Sequence, residues 1–115
     1  MKYMMFVCTD TEPETDQSRV PDIRQWASEV QASGKHVIGD RLAPESTATT
    51  VRVRGGELLI SDGPFAETKE VIAGFDILEC ADLDEAIDIA RQHPMAWMGR
   101  IELRAFDPLN LDAER

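Results

Sequence analysis

Several side chains in this sequence are of a type and spacing that could do chemistry. Asp62 opens an Asp62-Gly63-Pro64 turn, where backbone N–H groups can lock a carboxylate in place. It then either shapes the turn or serves as a general base or ligand anchor at the mouth of a cleft. Lys69 and Glu70 follow on the same loop. They read as a solvated or interface ion pair, or Lys69 supplies positive charge for an anionic substrate. Arg41, Arg52 and Arg54 could hold a carboxylate or phosphate, and equally well block edge pairing as strand-edge charges. His36 and Asp40 are four residues apart in a strand-like run. Even spacing points both to one face but leaves them about 13 Å apart, too far to bond, so each reads as structural or surface. His93 falls in a last helical turn, where the dipole favours the protonated imidazole. It reads as a helix stop more readily than as a catalytic acid.

Other chemistries have no foothold. Cys8 and Cys80 show neither CxxC nor metal-ligand spacing, and each reads as a small core or strand-end residue. They are expected to stay unpaired, because they end neighbouring antiparallel strands at opposite ends of a sheet, beyond the roughly 7 Å reach of a disulfide. The acidic run Asp10–Asp16 lacks the glycine and terminal Glu of a calcium loop. There is no zinc spacing, no phosphate-cradling glycine loop and no nucleophile elbow. Neither a metal nor a cofactor is expected.

Those residues must be positioned by one domain, since the chain has 115 residues. The balance of 12 basic against 22 acidic residues, net −10, argues against nucleic acid or an anionic membrane as partner. The N-terminal apolar run is too short to span a membrane and is followed by acids rather than small residues, which points to the cytoplasm.

Lys2–Cys8 suits a buried strand. Ile23, Trp26, Ala27 and Val30 mark one helical face, with Gly34 as a stop. His36–Leu42 is strand-like. Thr47–Arg54 and Glu57–Ile60, joined by Gly55-Gly56, form a hairpin. Val71–Cys80 is a strand with Phe75 and Ile77 on one face, and Gly74 leaves room for close approach. Asp82 opens a second helix through a capping box with Glu85, and Pro94 stops it. Gly99–Phe106 is the last strand. Residues 1–106 make the domain and 107–115 a polar tail. Without the hairpin the order is βαββαβ, the ferredoxin-like α+β pattern. Two helices cover one sheet face, and a second copy is the plain remedy for the other. Trp97 and Met98 are expected in the core or that interface.

The run Asp62-Gly63-Pro64-Phe65-Ala66-Glu67-Thr68-Lys69-Glu70 resembles the signature of the DGPF domain proteins of the YCII-related superfamily. The likeness extends through Arg41-Leu42-Ala43-Pro44, Thr47–Arg54, Gly74-Phe75 and Asp82–Ala86. It implies a bacterial, cytoplasmic, ferredoxin-like protein with an inserted hairpin, a homodimer of the α+β barrel type, often encoded beside extracytoplasmic-function sigma factors. The superfamily carries a proposed acid–base pair, a His in the first helix and an Asp before a proline after the second. Here Trp26 occupies the helix region and His93 precedes Pro94, so the pair does not carry over and catalysis needs other residues. The resulting expectation is a cofactor-free enzyme doing acid–base chemistry on a small molecule in a cleft. Asp62 would be the base, with Arg41, Phe65 and Lys69 binding substrate. The alternative is a non-catalytic ligand- or partner-binding module tied to sigma-factor regulation.

Overall fold

The computed structural model of the protein describes residues 1–63 and 71–109. Among the described residues six strands and three α-helices run in the order β1 (Lys2–Thr9), α1 (Ile23–Ala32), β2 (His36–Arg41), β3 (Thr49–Arg54), β4 (Glu57–Asp62), β5 (Ile72–Glu79), α2 (Leu83–Ala90), α3 (Met95–Met98) and β6 (Gly99–Ala105). The main sheet is antiparallel with order β2-β5-β1-β6. That is the ferredoxin-like arrangement the sequence pattern implies.

β1 is the central strand, and its alternation decides the layers. Tyr3, Met5 and Val7 point to one face and are buried with Leu78 of β5 beneath Trp26 and Val30 of α1 and Ala86 and Ala90 of α2. Each of these two helices starts where an aspartate can satisfy its open N–H groups. Asp22 accepts from the Arg24 N–H at 2.8 Å, and Asp82 accepts from the Glu85 N–H at 2.9 Å. Glu85 reaches back to the Ala81 N–H at 3.1 Å, one residue outside a standard capping box. The Trp26 indole N–H donates to the Ile89 carbonyl at 2.9 Å. That carbonyl belongs to the last turn of α2 and also accepts the Gln92 N–H at 3.3 Å, so the indole adds a bond that ties the two helices together.

The hairpin β3–β4 forms a separate two-stranded sheet. Gly55 and Gly56, at φ of +59° and +78°, make the tight turn that only residues at ease in left-handed conformations allow. α3 is an addition to the expected elements. Pro94 does not stop α2, which ends earlier at Ala90 with Arg91 as its cap; it caps the start of α3, where a missing N–H costs nothing. Cys8 and Cys80 are buried and free, at opposite ends of the β1–β5 pair. Among the described residues no helix is long and apolar enough to cross a membrane.

Candidate functional site

The register of β2 against β5 sets the site. His36 lies opposite Leu78 and Ile38 opposite Ile77, so Val37 is an extra residue and the ladder shifts there. Beyond this bulge Gly39 faces Asp76 and Arg41 faces Gly74. Directly opposed residues share a face, and Leu78 is in the core beneath the helices. His36, Gly39, Arg41 and Asp76 therefore all lie on the helix side. Asp40, opposite Phe75, alternates to the other side.

The bulge brings His36 onto Asp76. Its Nε2 lies 2.7 Å from Asp76 Oδ1, and the two side chains are only 15 % and 13 % exposed. Gly39 makes room, because a Cβ there would collide with the Asp76 carboxylate and come within 2.8 Å of the Phe75 carbonyl. Burial raises the Asp76 carboxyl above its ordinary range, while the hydrogen bond and charge of His36 pull the other way.

A second imidazole lies close by. His93 is buried, packed edge-on against Trp26 with ring centroids 4.6 Å apart. Its Nδ1 accepts the Met95 N–H at 2.9 Å, which fixes the neutral tautomer with the proton on Nε2. Burial drops its pKa from 6.5 to about 4. This corrects the expectation that the helix dipole favours the protonated form. α2 ends at Ala90, so His93 lies past the last turn, where the dipole effect fades and desolvation decides. His36 also stands edge-on to Trp26, with centroids 6.2 Å apart.

These groups line a cavity of about 530 Å³ between β2, β5 and α1, walled mainly by Ile23, Trp26, Ala27, Val30 and Met95. Arg41 is also among the residues lining it. Asp62 is not among the described residues lining it: it is exposed at the end of β4, opposite Thr49 in the separate hairpin sheet. Phe65 and Lys69 lie outside the described residues. Among the described residues no three His, Cys, Asp or Glu side chains gather as a metal site.

Asp76 is absent from the candidates that the sequence offers, where His36 is weighed against Asp40 alone. Two signals in the sequence point to it. Gly39 inside a strand marks a bulge or a close approach. Asp76 sits two residues before Leu78, and so on the buried side of an apolar strand.

A family model describing the YCII-related domain matches residues 1–110. The chain belongs to the YCII-related family. The DGPF resemblance is to this same family. An uncharacterised protein of Rhizobium meliloti (strain 1021) is 42 % identical over 78 residues, 68 % of this chain and 63 % of that protein. The chain thus spans less than two thirds of that relative's length. Within this YCII-related fold, the cavity combines a His–Asp pair, a neutral imidazole and one arginine.

Proposed function

We propose that this YCII-related protein catalyses proton transfer on a small carbonyl compound bound in the cavity. The observation that carries the reading is the 2.7 Å contact between His36 and Asp76, both nearly buried, beside a second imidazole held neutral. Asp76 occupies Nε2 of His36, which leaves Nδ1 to take a proton from carbon. The imidazolium so formed is stabilised by the adjacent carboxylate. His93 donates its Nε2–H to the carbonyl oxygen as negative charge builds there. A neutral imidazole suits this role, because it polarises the oxygen without handing over a full positive charge. Return of the proton to a different atom gives isomerisation, and loss of a leaving group gives elimination. The base is thereby assigned to His36 with Asp76 rather than to Asp62.

The sheet face away from the helices supports a homodimer. Met4, Phe6, Phe75 and Ile77 are half-buried there and Ile38 is exposed, and a second copy of this chain would cover them.

The test of the chemistry is deuterium incorporation from D₂O at carbon next to the carbonyl, screened over small keto and aldehyde compounds. Wild type exchanges at least one compound, and His36→Gln slows the exchange by about 10²–10⁴-fold, the usual reach of general-base catalysis. Equal exchange in the two proteins would refute the role of His36 and favour a non-catalytic binding module.

A further inference from the structure

We infer that the substrate class is a monocarboxylate with an apolar body between its carboxylate and its reacting carbon. The inference rests on the proton-transfer reading for the reacting end and on independent observations for the other.

Among the described residues Arg41 is the one permanently cationic side chain lining the cavity. None of the described carboxylates lies within ion-pair distance of it. Asp40, its chain neighbour, also borders the cavity, but its register turns its side chain toward the other face of the sheet and it makes no ion pair with Arg41. Asp76 is engaged by His36. In a chain of net charge −10, an arginine at the edge of an apolar cavity, with no acidic partner among the described residues, is an anion receptor: its planar fork matches a carboxylate in two parallel hydrogen bonds.

The spacing sets the length of the body. Arg41 is opposite Gly74 and Gly39 is opposite Asp76, so the two ends of the site are two residues apart along β5, roughly 7 Å. A ring or a chain of several carbons fits that interval. Trp26, Val30 and Met95 offer it an apolar wall, and burial of the body against them adds affinity without direction. A dicarboxylate does not fit, because its second charge would meet the Asp76 carboxylate. Neither does a sugar, whose hydroxyls would lose water against that wall without replacement.

The probe is 3-phenylpropanoate, compared with 3-phenylpropanamide, which has the same shape and no charge. Binding is read from shifts of the His36 and His93 ring protons by NMR. The carboxylate is expected to bind tenfold or more tightly than the amide, and Arg41→Gln to weaken the carboxylate by 10–100-fold while leaving the amide unchanged. Equal affinity for acid and amide, or an Arg41→Gln variant that holds the acid as wild type does, would overturn the inference. So would the absence of imidazole shifts at saturating probe. His36→Gln separates the two readings: acid binding retained with exchange lost supports both, whereas acid binding and exchange both retained sinks the proton-transfer reading and leaves the anion site standing.

Discussion

At the scale of single residues, His93 is where local geometry departs furthest from what residue type suggests. Its folded pKa of about 4 lies below the ordinary 6.5, so between those values the unfolded chain binds more protons and stability rises with pH. The contribution is complete above pH 6.5, shrinks as pH falls and is gone by about pH 4, a swing on the order of 3 kcal/mol. Asp76 works in the opposite sense. Its raised carboxyl pKa gives stability that is present below the ordinary carboxylate value and lost as pH rises through the folded one. A difference measurement isolates the histidine. Urea unfolding of wild type and His93→Gln across pH 4–7 should show the wild type losing stability faster as pH falls. Parallel curves would mean His93 is not held neutral.

At the scale of elements, the bulge in β2 matters more than any propensity. A regular strand would place His36 on the face of Ile38 and Asp40, and that regular reading is what the sequence offers most directly. Helix starts and the Gly55-Gly56 turn are legible because each depends on neighbours a few residues away, and the strand order is legible because the βαββαβ succession of elements implies it. The His36–Asp76 pair is not, because it depends on one extra residue in one strand and on a partner forty positions on. Gly39 is the element's weak point for substitution. Gly39→Ala drives a methyl into the Asp76 carboxylate, which is expected to cost about 1–3 kcal/mol as overpacking does and to separate Asp76 from His36. Asp62→Asn, away from the cavity, should leave stability and probe binding unchanged. Thermal unfolding with the NMR titration checks both; a Gly39→Ala variant with the pair intact would contradict the close approach.

At the scale of the whole molecule, the inserted hairpin and the bare sheet face belong to one argument. The radius of gyration is 17.0 Å, against about 13 Å for a compact chain of ~100 residues. Every residue of β4 is exposed, and Val51 and Val53 stand opposite Ile60 and Leu58 as one uncovered apolar stripe. The sequence shows the hairpin but not what it packs against, since that partner is not in the same chain under the homodimer proposal. Each copy carries a net charge of −10, so association works against mutual repulsion. Light scattering should find a dimer at micromolar concentration, tightening as salt is raised from about 0.01 to 0.15 M and the screening length falls from about 30 to 8 Å. A monomer at every salt concentration would remove the dimer from the account.

Trp26 gives the cavity an optical property of its own. Its indole is pinned to the Ile89 carbonyl and stands edge-on to both imidazoles. A protonated imidazole quenches the excited state of a nearby indole, whereas a neutral one does so weakly. The fluorophore thus sits beside His36, whose charge changes in the proposed transfer, and beside His93, which stays neutral, so its emission is expected to dim when His36 takes the proton. In a Trp97→Phe background its emission becomes a label-free readout of proton arrival in the cavity, fast enough to follow within a single turnover.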